Sequence, residues 1–175
     1  MIRKLFFWLL LAAVIGLWAF SDRLFPAELI KAPTANVSDG DTLSIGDKVF
    51  RLYGIDAPEY HQTCTDKRGA QWPCGKAARL QLATFVAAGS IVCAPRAEDR
   101  YNRLVAICAS ASTPDLSAAM TEAGLAISPA ARGTAAYAQQ EEIARAAKRG
   151  LWQGAFDLPS DWRTAHPRSI LISTS

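Results

Sequence analysis

The chain lacks most of the features that would place it at a glance. It has two histidines, His61 and His166, and no C-x-x-C pair among its four cysteines, so neither histidine has ligand spacing to a cysteine. That argues against a zinc site and for disulfides. Internal repeats and low-complexity tracts are absent, which excludes a solenoid or a biased linker. Charge of one sign is scarce as well. The net charge is +3, and +2 of it lies in residues 1–23, from Arg3, Lys4 and Arg23 against Asp22. A polyanionic partner therefore has to be held by a local patch and not by a global field. With 50% apolar residues in 175, disorder is excluded, and there is room for one domain with a core but hardly for two.

The one long apolar run is Leu5–Phe20, sixteen uncharged residues behind Met-Ile-Arg-Lys. This is the pattern of an export signal, although a comfortable span needs about 20 residues. Trp18-Ala19-Phe20-Ser21 makes a poor cleavage site, which favours an uncleaved signal anchor over a cleaved signal peptide. With the basic end kept inside, the remainder is expected outside the cytoplasm, periplasmic and held at the inner membrane by residues 1–23. The cysteines agree with an oxidising address. Four cysteines allow three pairings, of which the local one, Cys64–Cys74 and Cys93–Cys108, is simplest.

Residues 38–59 contain two short apolar runs about a Gly46-Asp47 turn, with acids at both outer ends: Asp39, Asp41, Asp56 and Glu59. A hairpin brings those ends together. Pairing about the turn sets Ile45 opposite Lys48, Leu43 opposite Phe50 and Asp41 opposite Leu52, so Leu43, Ile45, Phe50 and Leu52 share a core face. Strict alternation then puts Asp41 and Arg51 on opposite faces. They serve one site only if Asp41 lies at the strand rim or a bulge near Asp39-Gly40 re-aims it.

Downstream, helices are expected at about 75–88, after Thr113-Pro114, and at about 134–149, with Ala136, Ile143, Ala147 and Leu151 on one side of the last. Strands are expected at 90–94 and 103–109, joined by the charged turn 96–102. The order implies an α+β protein: a five-stranded antiparallel OB-type Greek-key barrel with three helices, preceded by an N-terminal apolar helix. The expected divisions are 1–23 signal anchor or signal peptide, 24–34 linker, 35–157 domain and 158–175 C-terminal tail.

Asp41 and Asp56 are candidate ligands for a hard divalent cation, though each alone reads equally as a turn residue. Arg51 and Arg103 sit beside apolar strand residues, where a planar guanidinium suits a phosphate clamp. The segments V-S-D-G-D-T-L, F-R-L-Y-G-I-D-A-P-E, D-R-Y-N-R-L-V-A and E-x-x-A-R-A-A-K-R-G-L-W, in that order over about residues 35–155, resemble the staphylococcal nuclease family. The resemblance implies a calcium-dependent phosphodiesterase acting on DNA and RNA. It implies Ca2+ held by Asp41, Asp56 and the Ala57 carbonyl, and Glu59 orienting or deprotonating the attacking water. It implies Arg51 and Arg103 on the scissile phosphate, with Arg100 and Tyr101 against the substrate. The expected partners are nucleic acid and, through the N-terminus, the membrane; the chain is expected to be a monomer. Two departures stand out: Asn102 replaces a glycine in the D-x-Y-G-R turn, and Ser128–Arg132 stands where family enzymes place tyrosines beside the nucleotide. The alternative is a non-catalytic OB-fold nucleic-acid-binding or envelope protein with a structural calcium site.

Overall fold

The hairpin forms in the expected register. In the computed structural model, which describes residues 7–8, 10–11, 14–16, 28–130 and 135–167, β3 (Thr42–Ile45) pairs with β4 (Lys48–Leu52). Ile45 faces Lys48 and Leu43 faces Phe50. Gly46 takes φ +60°, as the first central position of this two-residue turn requires. Leu43, Phe50 and Leu52 are at most 1% exposed, and each such burial stabilises the fold by about 1.5–3 kcal/mol.

Six strands make one curled half-barrel sheet in the order β1-β7-β8-β4-β3-β2, with β1 Ile30–Ala32, β2 Asn36–Val37, β7 Ile91–Glu98 and β8 Leu104–Ala109. A separate pair joins β5 (Cys64–Thr65) to β6 (Gln71–Trp72). This corrects the expected five antiparallel strands in two ways. First, β1 lies inside the stretch assigned to a linker, because its backbone pairs with Ile91–Cys93. Second, β4 and β8 run parallel. A parallel neighbour needs a long crossover, and residues 53–103, with a helix and β7, supply it. Strand β7 also runs past the expected end at Ala94, through Pro95. Proline donates no hydrogen bond, but β1 reaches only as far as Cys93, so β7 has become an edge there and bulges between Pro95 and Ala97.

Helix α1 (Cys74–Ala87) buries Ala78, Leu82 and Val86 against the sheet. Helix α2 (Leu116–Glu122) buries Leu116 and Met120 and is capped by Asp115, whose side chain accepts from the Ala118 N–H, so the helix begins two residues after Pro114, the expected first residue. Helix α3 (Ala138–Ala146) is shorter than expected and turned: Ala144 is buried while Ile143 is 40% exposed. A 3₁₀ turn at Gly150–Gln153 and a fourth helix, α4 (Pro159–Ala165), follow. The stretch assigned to a tail thus begins with a helix started by proline.

Both disulfides form in the local pairing. Cys93 and Cys108 face each other across β7 and β8 in the main core. Cys64–Cys74 ties the β5–β6 pair to the start of α1. Most of residues 1–23, with the expected apolar signal helix, falls outside the described residues; those described at 7–8, 10–11 and 14–16 are helical and exposed. Among the described residues, no helix is long and apolar enough to cross a membrane.

Candidate active site

Asp41 stands at the rim, one residue before β3 begins, in a bend where its N–H donates to Asp39 Oδ1 at 3.1 Å. The rim position, with no bulge in the β3–β4 register, lets Asp41 and Arg51 meet despite their opposite places in the alternation. Arg51 Nη1 donates to Asp41 Oδ1 at 2.9 Å, and Arg51 Nη2 donates to Asp56 Oδ1 at 2.7 Å. Asp41 is fully enclosed. Its Oδ1 also accepts from the Thr42 hydroxyl, and its Oδ2 from the Ala57 N–H at 3.0 Å. Burial outweighs these partners and pushes its carboxyl up to about 7. Burial also disfavours the charge on Arg51, but Asp41 and Asp56 more than offset it and hold its pKa above the ordinary value.

Asp56 is fixed by its backbone, which exchanges two hydrogen bonds with Ile127. Three residues on, Glu59 is backed by the first turn of α1. A Cβ on Gly75 would lie 1.7 Å from the Glu59 carbonyl oxygen, so only glycine allows α1 to approach this closely. The buried Gln62 completes the support: its Oε1 accepts from the Glu59 N–H, and its Nε2 donates to the Asp157 carbonyl.

Arg51 and Asp56 form one wall of a cavity of about 750 Å3, and Arg100, Tyr101 and Arg103 form another. The β7–β8 turn is built by Asp99. Its carboxylate accepts from the N–H groups of Tyr101 and Arg103 and from Arg103 Nε at 2.8 Å. Although burial works the other way, the contacts from Arg103 and Tyr101 hold the Asp99 carboxyl below the usual range. Asn102 fills the glycine position at φ +60°, a conformation asparagine tolerates. Tyr101 is 63% exposed, with Arg100 and Arg103 stacked on its ring. Tyr137, by contrast, is buried, with its hydroxyl donating to Asp115, and cannot replace the missing tyrosines. Ser128 is a structural pin: its hydroxyl donates to the Gly54 carbonyl and accepts from the Tyr137 N–H. Residues 131–132 of that stretch lie outside the described residues.

Among the described residues, no group of three or more acidic, histidine or cysteine side chains forms a ready metal site. The expected set of two carboxylates and a backbone carbonyl is compatible with that. Its donors are hard oxygens. Asp41 and Asp56 also share one guanidinium, so both carboxylates already face a positive charge.

One residue at the site was missed. Arg163 of α4 donates through Nη1 to Asp56 Oδ1 at 3.0 Å and Glu59 Oε1 at 2.9 Å, and through Nη2 to Asp56 Oδ2 at 2.9 Å. These bonds raise its pKa further above the arginine range. The available signal was Leu158-Pro159, a proline suited to open a helix, with a basic residue in its last turn.

Residues 49–154 match the family described as staphylococcal nuclease homologue. The chain is also 34% identical over 120 residues to the succinoglycan biosynthesis protein ExoI of Rhizobium meliloti (strain 1021), an alignment covering 68% of this chain and 63% of that protein. The chain thus spans less than two thirds of the length of that curated relative.

Proposed function

Because the chain belongs to the staphylococcal nuclease family, we propose that it is a calcium-dependent phosphodiesterase that hydrolyses DNA, RNA or both outside the cytoplasm. The observation that carries the reading is the meeting, at one cavity, of Arg51, Arg103 and Asp56, with Asp41 paired to Arg51 and Glu59 joined to Asp56 through Arg163.

In this reading the scissile phosphate enters the cavity between the two arginines. Each guanidinium presents a planar fork to the phosphate oxygens, and the charge that grows there in the transition state strengthens those bonds. The chemistry supplied by calcium at Asp41, Asp56 and the Ala57 carbonyl is neutralisation of a phosphate oxygen, which lowers the repulsion met by an incoming nucleophile. Glu59 positions the attacking water or accepts its proton, on the side away from the leaving oxygen. Arg51, held by Asp41 and Asp56 at the wall of the cavity, would turn a face of its guanidinium to the phosphate. Asp99 holds Arg103 in place, and Arg100 and Tyr101 receive the flanking nucleotide, the exposed ring offering a stacking face. The two disulfides support an oxidising location. Anchoring of the chain by residues 1–23, with a nuclease domain at 35–157, belongs to the same proposal.

The test is hydrolysis of single- and double-stranded DNA and of RNA by the oxidised protein with calcium, magnesium or chelator. Calcium-dependent cleavage that chelator abolishes is expected; no cleavage of any substrate would overturn the reading. A second reading, a binding module without catalysis, is favoured by one observation: Asp41, Asp56 and Glu59 all have arginine partners. Binding of nucleic acid without turnover in the same assay would select it.

A further inference from the structure

On the metal assignment proposed above, the acids at the site are already compensated before any cation arrives. Asp41, Asp56 and Glu59 bring three negative charges if all are ionised, and Arg51 and Arg163 bring two positive ones. A divalent cation added here meets acids already compensated by guanidinium groups, with Asp39 beside Asp41 as a further acid. Arg163 occupies both carboxylate oxygens of Asp56 and one of Glu59, so it competes with the ion for the same oxygens.

The two are held very differently. Arg51 is on β4, inside the sheet, with its side chain 21% exposed and bonded to two acids. Arg163 is on the seven-residue α4, of which Pro159 alone is buried. Its side chain is 39% exposed. Besides the arginine and the buried Pro159, the chain leading into α4 is tied down by Ala155, which pairs with Thr65, and by the Asp157 carbonyl, which accepts from Gln62. A helix held by one buried end and one ion-pair cluster swings away at low cost, because little apolar surface is exposed when it does.

We propose that Arg163 is an intrachain cation seated on Asp56 and Glu59, and that α4 is a strap which a divalent cation must displace to bind. The guanidinium mimics the charge of the ion at two of the acids the ion needs. It keeps the carboxylates compensated when calcium is scarce and sets the calcium concentration at which the site loads. Cation and strap then oppose each other by linkage: whatever releases α4 tightens calcium, and calcium releases α4 by the same factor.

The test measures calcium binding without nucleic acid, by titration calorimetry on the full 175-residue chain in detergent micelles, for the wild type, Arg163→Gln and Arg163→Lys. Arg163→Gln is expected to bind calcium about 5- to 150-fold more tightly than the wild type. Arg163→Lys, which keeps the charge but not the fork, is expected to fall between them. In the wild type, calcium is expected to speed hydrogen exchange at the Asp161 and Trp162 amides, which close the first turn of α4 on the Leu158 carbonyl. This readout stands even if a variant fails to fold. Equal or weaker calcium binding by Arg163→Gln, or unchanged exchange in α4, overturns the strap and leaves the metal site intact. No calcium binding by either protein overturns the metal assignment and the strap together.

Discussion

Two arginines reach the same oxygen of Asp56 from opposite ends of the chain. Arg51 is five residues away, on a strand whose neighbours Phe50 and Leu52 are buried; Arg163 is 107 residues away, on a helix with one buried residue. The two bonds to that oxygen have similar lengths, 2.7 and 3.0 Å, yet they differ in what stands behind them. Contact distance therefore says little about how firmly a charge is held. The β-sheet supplies a fixed half of the site, whereas the C-terminal segment supplies a half that can be exchanged.

The largest expected effect falls on Glu59, which Arg163 holds from the C-terminal side. Glu59→Gln should slow calcium-dependent hydrolysis by about 10²–10⁴-fold if it serves the attacking water. Single-turnover rates on a short DNA duplex check this, and a wild-type rate would remove Glu59 from the mechanism. Arg51→Ala should reduce the rate by about 10²–10³-fold. It should also destabilise the fold by about 3–5 kcal/mol, because Asp41 is left buried without its cation. Arg51→Lys should recover stability better than rate, since a single ammonium cannot fork. Urea unfolding alongside kinetics separates the two.

The disulfides come next. Reducing the protein should cost about 3 kcal/mol for each of the two loops, whose cysteines stand 10 and 15 residues apart. Replacing Cys93 and Cys108, inside the core, should affect stability more than replacing Cys64 and Cys74. Denaturant midpoints of the two double variants rank them. Arg163→Ala should sharpen the contrast with Arg51: its side chain is more than a third exposed, so the loss should be about 1 kcal/mol or less. A loss as large as that of Arg51→Ala would show that the C-terminal half is as fixed as the sheet.

The last contrast is the pH response of Asp41. Its folded value near 7 lies above the unfolded value of 3.8, so the folded chain binds the proton more tightly. Its contribution favours folding at low pH and is lost as pH rises through 7. In calcium-free buffer, the melting temperature of the wild type should fall between pH 4 and 7 more steeply than that of Asp41→Asn.

The hairpin register was legible because a period of two and a Gly-Asp turn are local, and burial of Leu43, Phe50 and Leu52 punishes a slip of one residue. The motifs around Asp41, Asp56 and Glu59 were legible for the same reason: each lies beside the turn or strand that places it. The parallel partner of β4 was not, since its choice depends on how a fifty-residue crossover packs. Strand β1 was missed because three residues carry too little pattern, and their stability comes from the partner strand. Helix α3 was placed with the wrong face inward because alanine satisfies either side of a helix.

By itself the sequence determined the family, the hairpin with its acids, the cysteines able to pair locally and the residues able to clamp a phosphate. These depend on neighbours within a few residues and on the chemistry of the side chains. Only the tertiary structure decided that Asp41 reaches Arg51 from a rim, that β4 and β8 run parallel and that Arg163 sits on Asp56 and Glu59. Those are meetings of distant segments, and their energies come from burial and charge compensation that exist only once the chain has closed on itself.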